Sequence, residues 1–495
     1  MRYDLVLRGG VIHDGSGGDA FVADIAVTGD RIAAMGALED AEATIEVDAA
    51  GRAVTPGFID VHAHDDTAVL VDPDLRCKVL QGVTTTVVGN CGMGVAPHPV
   101  ATQLFRTWSP GIEEHPPWSG YAGYLERLEE RPPSLNVAVL VGHGTVRGAV
   151  MGTADRAPDR QELDQMRLLV REGIEAGAVG MSTGLIYEPG RYAMTEEIVT
   201  LAAEAASGGG IYTSHMRNEA DRLLEAVAEA IRVGEEAGLP VQISHHKASG
   251  KSNWGKVAES LAMIDAARAR GVPVTLDQYP YTAGSTTLSA VIQNGVLDDG
   301  AGGIGTVEPS AIFVASAVGH PEWEGLDLVA IAELLAVSPR DAADAVVAAT
   351  DGTALVVLHM MSEDDVRAVL RHPCTMIGSD GVPAPGKQHP RLWGTFPRVL
   401  GRYARDDAVI PLEDAVRRMT SLPAETFGLV DRGVLREGAF ADLVVFDPAT
   451  IADIATYDDP ARAPAGIDAV IVNGTVVARD GEHTGARPGR PLRRA

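Results

Sequence analysis

The chain has 495 residues, 45% hydrophobic and 22% charged, which excludes a disordered protein and leaves room for a large barrel plus a smaller domain. A formal charge of −27 with no visible basic patch argues against nucleic acid as a partner. Three cysteines in so long a chain argue against a disulfide framework, and no signal-type segment or run of about 18 apolar residues occurs, so a cytoplasmic protein with no membrane partner is expected.

The first 54 residues read as short strands with Gly/Asp turns, YDLVLRGGVIHDGSG and DIAVTGDRIAAMG. Residues 431–495 repeat the style in FADLVVFDP and DAVIVNGTVVARDG. A small β-sandwich built from both ends, 1–54 and 431–495, is the economical expectation. Between them, residues 55–430 alternate strand and helix, the pattern of a parallel sheet with helical crossovers. Eight strand candidates follow in order: AVTPGFIDVHAH, VTTTVVGNC, LNVAVLVGHG, GAVGMSTGL, GIYTSHMR, LPVQISHH, VPVTLDQYPY and CTMIGSDG. Eight such units predict an α/β fold of the (β/α)8 TIM-barrel type. A less regular stretch, 284–352, forms an insertion between the seventh and eighth strands, placed to cover the barrel mouth. The strand-like run TALVVLHMM is assigned to the same insertion.

Polar residues sit where the predicted strands end, and a barrel brings all those ends to one face. His62 and His64 are one residue apart at the end of an apolar strand, so their side chains are expected on one side. His215 and His245 end the fifth and sixth strands, and Asp380 ends the eighth. Imidazoles and a carboxylate converging on one face predict a metal site. His246 is expected to point away from His245, in a structural role. His143, also at a strand end, is read either as a substrate contact or as a loop partner.

This ordered set resembles the amidohydrolase superfamily: HxH on strand 1, one histidine each on strands 5 and 6, and an aspartate on strand 8. Many members of that superfamily bridge two metals with a carboxylated lysine ending strand 4, and AVGMSTGL has no lysine. GNCGMG offers a replacement in Cys91, a thiolate among small residues that let an ion approach. Cys77 and Cys374 lack that setting and are expected in the core. HAHDD, VVGNCGMG, MSTGLIYEPG, TSHMRNE, ISHHK, DQYPYTAGST, GSDG and HPRLWGTFPRVLG together resemble the N-acyl-D-amino-acid deacylases, or D-aminoacylases. The resemblance implies one tight zinc on Cys91, His215 and His245, and a second, weaker site on His62 and His64 with Cys91 and Asp380. It also implies that Arg391, Lys247 and Tyr279 hold a substrate α-carboxylate, with Tyr187 and Ser285 lining the pocket.

The reaction so implied is hydrolysis of an N-acyl-D-amino acid to a carboxylate and a free D-amino acid. Zinc would acidify a water and polarise the carbonyl, and Asp380 would carry the proton to the leaving amine. No Lys or Arg occurs from Tyr281 to Pro339, which favours N-acetyl compounds with neutral, apolar side chains. His359, Met360 and Met361 read HMM, and the methionines could form a soft apolar wall or simply pack in the core. Two alternatives stay open: a cyclic-amide hydrolase of hydantoinase or dihydroorotase type, disfavoured by the missing strand-4 lysine, and an L-Xaa-D-Xaa dipeptidase. GMSTG is not a GxSxG elbow, so a serine nucleophile is not expected.

Overall fold

The computed structural model describes residues 2–106, 108–300 and 302–494. Its centre is a parallel barrel whose strands, in order, are Phe58–Asp60, Val83–Val88, Asn136–Gly142, Gly180–Gly184, Ile211–His215, Val241–Ile243, Val274–Gln278 and Thr375–Ile377. Each neighbour pair along this order is parallel. The ring closes between first and eighth strands through a parallel pairing of Ala63 with Gly381. The strands are buried along nearly their whole length, as in a parallel sheet covered on both faces.

The covering helices form because their apolar residues recur at helical spacing. In Leu223–Ala237 the buried residues include Leu223, Ala226, Val227, Ala230, Ile231 and Gly234, one stripe laid on the sheet. Gly238, at φ 73°, ends that helix in the left-handed conformation that glycine adopts at low cost. Arg160–Glu175 starts with a capping box, in which Asp159 and Glu162 satisfy each other's backbone N–H groups.

Three sequence expectations need correction here. AVTPGFIDVHAH carries two strands, not one. Ala53–Pro56 pairs antiparallel with Leu443–Phe446 in the terminal domain, and only Phe58–Asp60 enters the barrel. Gly57 stands at the break, where a β-carbon would overlap the Thr84 side chain, so only glycine fits. His62 and His64 therefore lie beyond the strand, in the turn that follows it. The small domain built from both ends is formed by one continuous nine-stranded sheet. It curls until its far strand, Arg31–Gly36, meets the segment before Leu443, where the Ile32 N–H donates to Ala439 O, 2.9 Å away. Leu5, Ile25, Val27, Leu443, Val445 and Ile471 fill the inside. The domain also gives up its last residues. Pro491–Leu492 pairs with Val137 and Ala138 of the third barrel strand, below the point where the fourth strand begins to pair.

The insertion builds a three-stranded antiparallel sheet from Ala283–Thr287, Leu355–His359 and Ile312–Ser316, with Leu355–His359 central. TALVVLHMM thus belongs to the insertion, which runs past residue 352 to the end of that strand. LVAIAELLAV supplies its helix Leu328–Leu335.

Candidate active site

The C-terminal ends of the barrel strands open into a cavity lined by His64, Cys91, Tyr187, His215, Glu219, His245, Lys247, Tyr279, Ser285 and Asp380. The insertion supplies one wall, with Leu355, Leu358 and Met360. Met93, Trp108 and Ile186 add further apolar surface.

The metal-ligating candidates meet at one point. Cys91 Sγ lies 3.3 Å from His62 Nε2, 3.6 Å from His215 Nδ1 and 3.7 Å from His245 Nε2. His245 Nε2 is 2.8 Å from His215 Nδ1. His64 Nε2 is 3.1 Å from Asp380 Oδ1, which is 3.5 Å from His62 Nε2. Donor atoms of His62, Cys91, His245 and Asp380 all lie within 4.8 Å of one another, and those of His215, Glu219 and His245 do likewise. Cys91, His245 and Asp380 all hold positive φ angles, of 54°, 35° and 49°. Non-glycine residues rarely adopt this region, and here three of them turn their side chains into one cluster.

The chemistry of this donor set fits a zinc ion. Sulfur and imidazole nitrogen are the atoms zinc prefers. Burial pushes the Cys91 thiol up, but the facing charge on His62 and hydrogen bonds from His215, His245 and His62 outweigh it and hold the thiol well below its ordinary range. Asp380 is likewise raised by burial and then brought well below the carboxylate range by Arg391, His62 and His64. His64 moves the other way: burial lowers it, but its bonds to Asp380 and Cys91 bring it up to about 9.

Two buried carboxylates orient the cluster. Asp277 lies 3.3 Å from His62 Nδ1 and accepts the His245 backbone N–H at 3.0 Å. Glu219 Oε1 lies 2.9 Å from His245 Nδ1. In both rings a carboxylate stands against Nδ1 while Nε2 faces Cys91. Such outer partners fix the tautomer of metal-binding histidines. Sequence reading missed both acids. The available signal was their position, in TSHMRNE just after strand 5 and at the end of strand 7, among the other site residues.

The structure places the substrate-binding candidates less simply than expected. Lys247 is buried, and its Nζ lies 2.6 Å from Glu219 Oε1, so its charge is already paired. Arg391 is also buried, with a guanidinium nitrogen 2.9 Å from Asp380 Oδ2 and another donating to Ser285 O at 3.4 Å. Both cations approach the Tyr279 ring, Arg391 at 4.5 Å and Lys247 at 5.9 Å from its centroid. Tyr187 lies edge-on to His215, with its hydroxyl 3.1 Å from Thr286 Oγ1.

The remaining polar candidates have structural partners. His246 points away and meets Ser260 Oγ at 2.8 Å. His143 lies 2.9 Å from Glu197, which also accepts from Arg147 at 2.6 Å, and it does not line the cavity. Cys77 and Cys374 are buried, and Met361 packs against the Tyr279 hydroxyl. Beneath the cluster, Lys78 is fully buried, 2.6 Å from Asp60, 2.7 Å from Ser379 Oγ and 3.3 Å from Asp65. This group ties the first strand to the eighth, where the Asp380 N–H donates to His62 O at 2.7 Å.

A closed (β/α)8 barrel with thiolate, imidazole and carboxylate converging at its C-terminal mouth has the architecture of a metal-assisted barrel hydrolase. The sequence matches the amidohydrolase family over residues 46–372 and 358–478. It is 44% identical to a D-aminoacylase of Alcaligenes xylosoxydans xylosoxydans over 99% of this chain and 98% of that protein. It is also 44% identical to an N-acyl-D-glutamate deacylase of the same organism, over 100% of this chain and 97% of that one. The crystal structure of an N-acyl-D-glutamate deacylase from Bordetella bronchiseptica superimposes with a TM-score of 0.90 at 42% identity, covering 100% of both chains. That structure holds zinc and a phosphonate inhibitor, a mimic of the reaction's tetrahedral intermediate. The chain belongs to the amidohydrolase family and, within it, to the N-acyl-D-amino-acid deacylases.

Proposed function

We propose that this enzyme hydrolyses the amide of N-acyl-D-amino acids whose side chains are neutral and apolar, with N-acetyl compounds as minimal substrates. The observation that carries the reading is the convergence of Cys91, His62, His245 and Asp380 within 4.8 Å at the barrel mouth. Cys91, His215 and His245 would hold one zinc tightly, and His62, His64, Cys91 and Asp380 a second, weaker ion. Bound zinc supplies an acidified water and a polarised carbonyl.

Asp380 does the proton work. It accepts the proton of the attacking water and returns it to the nitrogen, which leaves only as a neutral amine. Arg391, Lys247 and Tyr279 hold the α-carboxylate as one wall, with Tyr187 and Ser285 shaping the rest. Both terminal nitrogens of Arg391 already face Asp380 and Ser285, and its Nε, without a partner, is the donor that it retains for a carboxylate.

The D-aminoacylase and the N-acyl-D-glutamate deacylase are equally similar in sequence, so side-chain preference rests on the pocket. Lys247 is the one lysine or arginine that lines the cavity among the described residues; Glu219 pairs with it, and Asp380 pairs with Arg391 behind the wall. The insertion's wall is aliphatic. A second carboxylate on the substrate would be desolvated there without a partner.

Metal analysis of the purified protein together with kinetics on N-acetyl-D-leucine and N-acetyl-D-glutamate tests this. Zinc and a preference for leucine are expected. A preference for glutamate overturns the side-chain reading, and turnover of neither by zinc-loaded enzyme overturns the whole.

A further inference from the structure

A second groove opens from the metal cluster. It shares Cys91, Met93, Trp108, Tyr187 and Thr287 with the cavity already described, so the two meet where the scissile amide would lie. From there it runs outward between the helices His98–Phe105 and His143–Met151. Val100 and Leu104 line one side, and Gly148 and Pro189 the other. At Gly148 the walls come close: a β-carbon there would stand 3.5 Å from Val100 and 3.9 Å from Pro189, in ordinary contact with both. The groove reaches the surface at Gln103, Arg106, Glu188 and Asp351, all exposed.

We propose that this groove holds the acyl chain of the substrate, and that the enzyme favours N-acyl groups longer than acetyl. The inference rests on the function proposed above and adds the acyl class to it. An N-acyl amino acid has two arms leaving its amide. The arm bearing the α-carboxylate belongs with Lys247, Tyr279 and Ser285 in the first cavity. The acyl arm must leave the carbonyl carbon elsewhere, and the groove starts at Cys91. An acetyl group would fill only its inner end. A linear chain would reach past Met93 and Trp108 to Val100 and Leu104. Leu104 is 36% exposed, an apolar surface that an alkyl chain would cover. The polar residues at the outer end favour a saturated chain of limited length, ending before Arg106 and Asp351.

The test compares kcat/KM for N-acetyl-, N-butanoyl- and N-octanoyl-D-leucine with zinc-loaded enzyme. The octanoyl-to-acetyl ratio is expected to reach about tenfold or more, mostly through KM, since burying each methylene favours binding. Gly148→Leu fills the passage and should bring the ratio to about one. Leu104→Arg, at a half-exposed site that folding tolerates, should lower the ratio by putting a charge on the chain's path. A ratio at or below one in the unaltered enzyme, or a high ratio that neither substitution lowers, overturns the proposal while leaving the deacylase reading intact. Turnover of no acyl derivative overturns both.

Discussion

Glu219 Oε1 lies 2.9 Å from His245 Nδ1 and 2.6 Å from Lys247 Nζ, with all three side chains buried. One carboxylate therefore sets the orientation of a metal-ligand candidate and spends the charge of a substrate-binding candidate.

Glu219→Gln should weaken metal binding by about 10–100-fold, the usual effect of losing such an outer partner. Competition with a chelator of known affinity measures it. Unchanged affinity would remove Glu219 from the support of His245.

Asp380→Asn should retain the barrel and the zinc of the Cys91 site while kcat falls by about 10²–10⁴-fold. The metal content of the same preparation must be read beside the rate. Substantial turnover by that zinc-loaded variant would end the proton-shuttle role.

Lys78→Met should cost about 3–5 kcal/mol, because Asp60 and Asp65 are left buried without their cation. Ser379→Ala, which keeps that pairing and removes one hydroxyl, should cost about 1 kcal/mol. Chemical denaturation of both variants checks the order, and a Lys78→Met loss no larger than that of Ser379→Ala contradicts it.

Acid stability should depend on Glu197. Burial raises its carboxyl, but His143 and Arg147 outweigh that and hold it below its ordinary value of 4.5. A carboxyl depressed in the folded state contributes stability above the unfolded value and loses it as pH falls through the folded one. Glu197→Gln should therefore lower stability near neutrality and flatten its decline below about pH 4.5. Parallel denaturation curves at each pH would show the difference shrinking as acid is added. A constant difference would refute the linkage.

Much of the site was legible because barrel geometry does the gathering. Once eight strands are recognised, His62, His64, Cys91, His215, His245 and Asp380 fall on one face by position alone. The partners of those residues were not legible. Lys247 reads as a free cation until Glu219, 28 positions away, is seen against it. Asp277 and His62 are 215 positions apart, and nothing local says that the carboxylate stands against the ring. Gly57 illustrates the same limit at the level of fold. Its neighbours form one apolar run, and only the position of Thr84 shows why a glycine is needed there.

Pro491–Leu492 completes the lower rim of the third barrel strand, and the Val137 N–H donates to Arg490 O at 2.9 Å. A ribosome delivers those partners about 350 residues after the strand that they cover. Until then the nascent chain carries an open backbone edge at Val137 and Ala138, next to strands already able to pair. Final consolidation of the barrel floor thus waits on residues 491 and 492, which moor the terminal domain to the catalytic barrel instead of to its own sheet.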